Sequence, residues 1–405
     1  MNSASDWRPA SLSERVRSLD IIRGLALFGV LIVNILLIFR GPLLEHIRTH
    51  FAGLKGVDRL VELLSAGVFE FKAFTIFSFL FGVGISIQFE RAASRQVGAQ
   101  FFVLRRLVWL FLLGTAHLFL VWDGDILTLY AICGLLLLPL VRMRSPILFL
   151  IGAVLVALPE FVSLEVRPPS GLAAMADIAR ARQVYGNEGY LPILKFRWYE
   201  SWSLIVPLLI AVLPRTTGLM CWGAVAWRSG ILREPNQHRR KLVAALATGA
   251  AFGGAITLNN MLASSSGRAP WPPLQNTRLD PSILLALAYV SGLLLWLKPR
   301  RALLLPGLAA LGQMALTNYL LQSIVLGCIF YGYGFGLFGR VGSAVAAGIG
   351  VTLYIAQIQL SRFWLRRFRF GPFEWLWRSL SYGRRQRMRG APENFTASIA
   401  REVEI

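Results

Sequence analysis

The sequence has few of the residues that build metal centres and disulfides. Its 405 residues include three cysteines and four histidines. Cys133, Cys221 and Cys328 lie far apart inside apolar blocks, so we expect small buried side chains without disulfide or metal-binding roles. Zinc-ligand spacing, a phosphate-binding loop and a dinucleotide fingerprint are all absent. The sequence therefore predicts no metal site and no bound cofactor.

Acidic residues are scarce as well. The chain has 21 Asp and Glu against 42 Lys and Arg, which gives a net charge of +21. In a soluble protein this excess would suggest nucleic acid as a partner. Here the basic residues lie between long apolar blocks, as in the cytoplasmic loops of membrane proteins. We therefore expect a lipid bilayer as partner and no nucleic acid.

Apolar residues make up 55% of the chain and fall in blocks of about twenty, long enough to cross a hydrocarbon core of roughly 30 Å. Backbone polar groups must be satisfied internally in lipid, so each block should be a helix. The sequence thus predicts an all-α, polytopic transmembrane helix bundle of about ten spans. We place them near residues 19–39, 62–88, 103–122, 125–141, 146–164, 202–227, 242–263, 281–297, 302–328 and 341–361.

The distribution of basic residues predicts the orientation. With the N-terminus inside, the inner segments hold 27 Lys and Arg and the outer segments 12, so both termini should be cytoplasmic. We expect a polar tail at 1–18 without a cleavable signal and one transmembrane domain at 19–361. Its outer loop at 165–201 either covers a site or acts as a spacer. A basic, aromatic segment at 362–390 should rest on anionic lipid headgroups or bind substrate, and 391–405 should be disordered.

The first predicted span carries a polar stripe. Asp20, Arg23 and Asn34 fall on one helical face, and Asp20 and Arg23 are spaced to pair at i, i+3. This pair is either a structural anchor or a place where Arg23 receives an anionic ligand from the cytoplasm. Ionisable residues within a span are costly, which makes them candidate functional residues.

Other spans also contain polar residues. Glu70 and Lys72 are two positions apart and point in different directions, whereas Asn318 and Gln322 share a face. Amides of this kind either knit helices together or line a cavity. Under the predicted topology these residues share one depth with Asn34, and we expect a polar cavity that opens to the outer face.

The stretch "LLGTAHLFLVWDGDILTLY" places His117, Asp123 and Asp125 around the end of the third predicted span. Asp125 is well placed to cap the fourth span. His117, about 7.5 Å below Trp122 along the helix, either bonds to a backbone carbonyl or is a general base oriented by Asp125 or Asp123.

Five stretches resemble the YeiB-type bacterial membrane protein family (domain of unknown function 418), and the resemblance runs from about Leu19 to Gly383. They are "RSLDIIRGLALFGVLIVNI", "FSFLFGVG", "HLFLVWDGDILTLYAICGLLLL", "GQMALTNYLLQS" and "GPFEWLWRSLSYG". The family is grouped with transmembrane acyltransferases, which use cytoplasmic acyl-coenzyme A to modify a sugar on the far side. The resemblance implies a bacterial inner-membrane location, acyl-coenzyme A as co-substrate and an envelope glycan or lipid as acceptor.

Three functions remain open. In an acyltransferase, His117 and Asp125 would deprotonate the acceptor, Lys72 or Asn34 would stabilise the oxyanion, and Arg23 would attract the coenzyme phosphates. The alternatives are a transporter of a small anion or sugar-like solute and a non-catalytic envelope scaffold. The predicted catalytic residues are His117, Asp125 and Lys72. The predicted substrate- or cofactor-binding residues are Asp20, Arg23, Asn34, Glu70, Trp122, Asn318 and Gln322.

Overall fold

The computed structural model describes residues 16–49, 53–94, 98–161, 171–266, 280–297 and 299–389. Within these ranges the chain is helical and contains no β-strand. The α-helices are α1 (Arg17–Asn34), α2 (Leu43–Thr49), α3 (Gly56–Val68), α4 (Lys72–Ser94), α5 (Ala99–Ala116), α6 (Leu127–Leu140), α7 (Ser145–Phe161), α8 (Gly171–Asn187), α9 (Tyr190–Glu200), α10 (Val206–Arg228), α11 (Arg239–Thr248), α12 (Gly254–Ser266), α13 (Pro281–Trp296), α14 (Pro299–Leu303), α15 (Pro306–Gln313), α16 (Ala315–Phe330), α17 (Ser343–Leu365) and α18 (Pro372–Tyr382).

Short π-helical segments extend four of these helices. A π-turn inserts an extra residue into the helical ladder and re-aims the side chains around it. The segments follow α1, α5, α9 and α11 directly, at Ile35–Phe39, His117–Val121, Ser201–Ile205 and Gly249–Gly253. The second of them begins at His117 itself.

The length and composition of the helices confirm a membrane protein. In the part of the chain that the structure describes, six helical stretches are long and apolar enough to cross a bilayer. They are Arg17–Phe39, Gly56–Ser94, Ala99–Val121, Tyr190–Arg228, Arg239–Ala263 and Ser343–Leu365. A seventh candidate is bent, and three shorter apolar helices lie at Leu127–Leu140, Ser145–Pro159 and Pro281–Trp296.

Two predicted spans are not straight helices. The span expected at 62–88 breaks between α3 and α4, where Phe71 takes a left-handed backbone conformation with φ 58°. The span expected at 302–328 bends by 81° between α15 and α16. Hydropathy does not reveal such breaks, because the side chains around them remain apolar.

Glycines bring helices into backbone contact. A methyl group on Gly82 of α4 would overlap the Met220 carbonyl of α10, and one on Gly223 of α10 would overlap the Phe79 carbonyl of α4. The pairing of Gly24 in α1 with Gly312 in α15 has the same effect. Small residues at helix crossings let backbones approach closely in membrane proteins. These contacts hold α1 and α4 beside the elements that form the site.

Several terminal and loop segments differ from a simple bundle. The segment predicted as an outer loop, 165–201, contains α8 and α9, and part of it lies outside the described residues. The C-terminal helix α18 packs on α5, and its Glu374 and Ser381 are buried.

Cys133 and Cys221 are buried as expected, but Cys328 is exposed, which corrects the prediction for that residue. The tail 391–405 and residues 1–15 of the N-terminal tail lie outside the described residues.

Candidate functional site: a buried histidine–aspartate pair and an amphipathic cavity

His117 and Asp125 form a buried pair. The π-turn that ends α5 closes with a hydrogen bond from the Trp122 backbone nitrogen to the His117 carbonyl at 2.8 Å. Nδ1 of His117 then lies 2.9 Å from Oδ1 of Asp125, and the two residues are 2% and 1% exposed. The other carboxylate oxygen accepts the Thr128 backbone N–H at 2.7 Å in the first turn of α6. Asp125 therefore caps a helix and orients the histidine at the same time.

The pairing with Asp125 selects one tautomer of the neutral imidazole. An ionised carboxylate only accepts hydrogen bonds, so Nδ1 of His117 carries the hydrogen and Nε2 presents its lone pair. Nε2 is buried and has no hydrogen-bond partner among the described residues. A neutral imidazole with Nδ1 held by a carboxylate and Nε2 free is the arrangement that a general base requires.

Tyr319 of α16 lies next to this pair. Its ring centroid is 5.3 Å from that of His117. Its hydroxyl donates to the Gly124 carbonyl at 3.3 Å and accepts the Ile126 backbone N–H at 3.2 Å. Trp122 is fully buried and stacks on Phe39 with centroids 4.6 Å apart. Tyr319 and Trp122 thus hold the turn that carries Asp125.

Tyr319 also lines a cavity of about 250 Å³. One end has charged side chains near the start of α1 and α5 and on α18: Asp20, Arg23, Arg106, Glu374 and Arg378. Leu27, Val30, Phe81, Leu107, Leu110 and Leu316 form much of its apolar wall. Tyr130 and Tyr319 lie toward the opposite end, with Ile126 and Leu127 of the Asp125 turn. The cavity is therefore amphipathic and reaches the vicinity of His117.

Asp20 and Arg23 are the two predicted site residues that line this cavity. They form the expected i, i+3 ion pair, with Nη1 of Arg23 2.7 Å from Oδ1 of Asp20. The side chain of Arg23 is 28% exposed, so it can also meet a ligand at this end. Asn34, Lys72 and Gln322, which the sequence placed in an outer polar cavity, are not among the lining residues of this cavity.

Asn318 and Gln322 knit α16 to α17. Asn318 donates to Ser361 at 2.9 Å, and Gln322 donates to Gln357 at 2.8 Å. Gln357 returns a bond to the Asn318 carbonyl at 2.9 Å. The partners of Asn318 and Gln322 are therefore on α17, and neither residue is in the cavity lining.

Lys72, Glu70 and Asn34 also lie away from the cavity lining. Nζ of Lys72 donates to the Ala66 carbonyl at 2.6 Å and so bridges the break between α3 and α4. Glu70 is half-buried within that break, and Asn34 is half-buried where α1 meets its π segment. The structure brings His117 and Asp125 together, but it gives Lys72 a structural contact that does not involve them.

Sequence reasoning missed three charged residues of the cavity, Arg106, Glu374 and Arg378. Arg106 belongs in the sequence to the basic start of the third predicted span, yet it is 5% exposed and lines the cavity. Glu374 stands four positions before Arg378, a spacing that favours an ion pair within a helix. Instead it accepts the Thr317 backbone N–H at 3.0 Å and the Thr317 hydroxyl at 2.5 Å. A lone acid in a strongly basic segment was the available signal for Glu374.

Asp123 belongs to a separate network beyond the turn. The Tyr185 hydroxyl lies 3.4 Å from Oδ2 of Asp123 and donates to Oε2 of Glu200 at 2.8 Å. Arg197 is fully buried beside them and donates to the Leu120 carbonyl at 3.0 Å. Burial raises the pKa of Asp123, and Arg197 opposes that rise. Asp125, rather than Asp123, is therefore the partner of His117.

The fold and site define a helical membrane protein with a buried histidine–aspartate pair next to an amphipathic cavity. The DUF418 model, described as a protein of unknown function, matches residues 226–384. The chain is 35% identical over 412 residues to "Uncharacterized protein YxaH" of Bacillus subtilis (strain 168), covering 93% of this chain and 97% of that protein. It is 29% identical over 391 residues to "Uncharacterized protein YeiB" of Escherichia coli (strain K12), covering 91% of this chain and 96% of that relative. The chain belongs to this YeiB-type DUF418 family. No solved structure matches it.

Proposed function

We propose that the protein is an integral membrane acyltransferase that moves an acyl group from cytoplasmic acyl-coenzyme A to an envelope glycan or lipid. The observation that carries the proposal is the free Nε2 of His117, one aromatic ring away from an amphipathic cavity. An acyl-coenzyme A has an anionic head and an apolar acyl group, which match the charged end and the apolar walls of the cavity.

The proposed reaction uses His117 as the base. Nε2 takes the proton of an acceptor hydroxyl or amine, whose oxygen or nitrogen forms the new bond to the acyl carbon. The thioester C–S bond breaks, and the coenzyme leaves as a thiolate that takes up the proton from His117. Asp125 keeps the imidazole in the required tautomer and stabilises it while it is charged. Tyr319 lines the cavity and packs beside His117, which is not in the lining, so in the proposed reaction the acyl carbon must pass this ring to reach Nε2.

The proposed topology places the two ends of this path on opposite sides of a bacterial inner membrane. It has ten spans with both termini in the cytoplasm: the six long stretches, the bent pair and the three short apolar helices. In this orientation Asp20, Arg23 and α18 face the cytoplasm and His117 lies toward the outside. Anionic headgroups of the inner leaflet would meet the exposed basic residues that follow α17.

Acyl transfer by the purified protein in lipid nanodiscs tests the proposal. Labelled acyl-coenzyme A is offered with envelope glycan and lipid extracts, and both thiol release and label transfer are measured. We expect His117→Ala to reduce transfer about 100-fold or more, because a positioned base contributes 10²–10⁴-fold. The matched control is His238→Ala, in the loop before α11. Full transfer by a folded His117→Ala protein would disprove the role of the base.

A transporter is the second candidate, and the bend between α15 and α16 favours it. Discontinuous helices form the substrate sites of many secondary transporters. Uptake of unmodified sugars or small anions into proteoliposomes, with no thiol release from acyl-coenzyme A, would support transport over acyl transfer.

A further inference from the structure

Arg106 is a buried cation that lines the cavity of α1, α4, α5 and α18. We propose that its guanidinium binds the phosphate of an amphipathic ligand whose apolar tail occupies the cavity. Arg106 lies in the first half of α5 and is 5% exposed. Removing a charge from water is costly, and arginine does not lose its proton in proteins, so a charge in this position needs an anion.

The protein itself supplies no anion to Arg106 among the described residues. The side chain forms no ion pair there, and its Nε has no hydrogen-bond partner. Its close contacts are aromatic: the guanidinium carbon lies 4.0 Å from the ring centroid of Trp377 and 5.8 Å from that of Phe102. Stacking on Trp377 holds the planar guanidinium in place and leaves its hydrogen-bond donors to a ligand.

The two carboxylates of the cavity are engaged elsewhere. Asp20 pairs with Arg23 at 2.7 Å, and Glu374 accepts two hydrogen bonds from Thr317. Neither carboxylate pairs with Arg106, which adds a positive charge to this end of the cavity. A phosphate offers two or more oxygens to a planar guanidinium and is the anion that arginine binds with good geometry.

The apolar wall defines the rest of the ligand. The whole lining follows α1 from Asp20 to Val30, which is about 15 Å along the helix, and its apolar part on α1 begins at Leu27. Gly84 of α4 keeps part of this wall open: a Cβ there would meet only Nε2 of Gln88, at 4.0 Å. The ligand therefore combines a phosphate with an alkyl or acyl chain. The tail can belong to an acyl-coenzyme A or to an anionic phospholipid of the inner leaflet. The first of these ligands rests on the proposed function.

Ligand binding by the full-length protein distinguishes the two sources. Dissociation constants are measured in phosphatidylcholine nanodiscs for coenzyme A, butyryl-coenzyme A and octanoyl-coenzyme A, and separately for dibutyryl and dioctanoyl phosphatidic acid. We expect affinity to rise about fourfold for each methylene that enters the apolar wall. The ligand that shows this dependence is the source, and Arg106→Gln should weaken it at least tenfold. Arg105→Gln, one position along α5, is the charge-matched control, because its guanidinium donates to the Leu380 carbonyl instead.

Stability without ligand separates binding from a structural role. Removal of an uncompensated buried charge should leave the melting temperature of Arg106→Gln unchanged or higher. A fall in melting temperature with unchanged affinity would overturn the proposal, as would wild-type binding by Arg106→Gln or no saturable binding of either ligand by the wild type.

A cavity-filling variant tests the site without changing its charge. Gly84→Leu should abolish binding of the tailed ligand while the protein stays folded. Gly348→Leu in α17 is its control, because a Cβ at Gly348 has no neighbour within 4 Å. Binding by Gly84→Leu at wild-type affinity would contradict the inference. Tight, Arg106-dependent binding without acyl transfer would preserve this site and reject the enzyme. Acyl transfer by Arg106→Gln at the wild-type rate would support the enzyme and reject the phosphate site at Arg106.

Discussion

At the scale of single residues, Asp125 has two roles, capping α6 and orienting His117, and a substitution can separate them. One carboxylate oxygen caps α6 through Thr128, and the other accepts from Nδ1 of His117. Asparagine caps helices about as well as aspartate does. Its amide can also donate to Nδ1, which would move the imidazole hydrogen to Nε2 and remove the base.

Asp125→Asn should therefore keep stability and lose activity. We expect acyl transfer to fall about 100-fold or more while the melting temperature stays close to that of the wild type. Asp125→Ala loses the cap as well and should cost about 1 kcal/mol of unfolding free energy. Transfer assays and thermal unfolding of both variants check this. An active Asp125→Asn protein would mean that the carboxylate serves only as a cap.

At the scale of helices, two glycines of α4 have opposite surroundings. In the motif "FGVG", Gly82 packs closely against Met220 of α10. Gly84, two residues later, faces the cavity. The same sequence pattern therefore serves packing at one position and an open space at the other.

Alanine substitutions should separate these surroundings. Gly82→Ala forces α4 away from α10 and should cost about 1–3 kcal/mol, as overpacking usually does. Gly84→Ala meets no close contact and should leave stability unchanged or slightly higher, because alanine favours the helix. Thermal unfolding in the same detergent compares the two variants. Equal melting temperatures would contradict the close packing of α4 on α10.

The contact between α18 and the start of α16 should make stability depend on pH. Burial raises the pKa of Glu374 above its ordinary value of 4.5, against the hydrogen bonds from Thr317, which lower it. The folded protein then binds this proton more tightly than the unfolded chain, so stability falls as pH rises from about 4.5 through the raised pKa.

Glu374→Gln stays neutral, and its melting temperature should fall less over the range from pH 4.5 to 7. Glu234→Gln, on an exposed turn, is the control and should keep the wild-type slope. The measurement is the melting temperature of the wild type and both variants across this pH range. A Glu374→Gln slope as steep as that of the wild type would show that another group titrates.

At the scale of the whole molecule, the charge distribution predicts which side each segment faces. Alkaline phosphatase is active only outside the cytoplasm, and green fluorescent protein fluoresces when it folds inside. We expect phosphatase activity for a fusion at residue 188, between α8 and α9, and fluorescence for a fusion after residue 389. The reverse pattern would invert the topology and put the charged end of the cavity on the outer face.

The sequence by itself determined the helical membrane class, because apolar length and basic loops are properties of composition and local order. It also determined the Asp20–Arg23 pair, since those residues are three positions apart. For His117 it left Asp123 and Asp125 open as partners, and the structure selected Asp125. Only the tertiary structure decided that Arg106 and Glu374 line a cavity. Trp377 donates to the Arg106 carbonyl from 271 positions away, and helical periodicity contains no information on contacts over that separation. The tertiary structure also decided the partners of Asn318 and Gln322, because those partners lie on α17 and depend on how two helices pack.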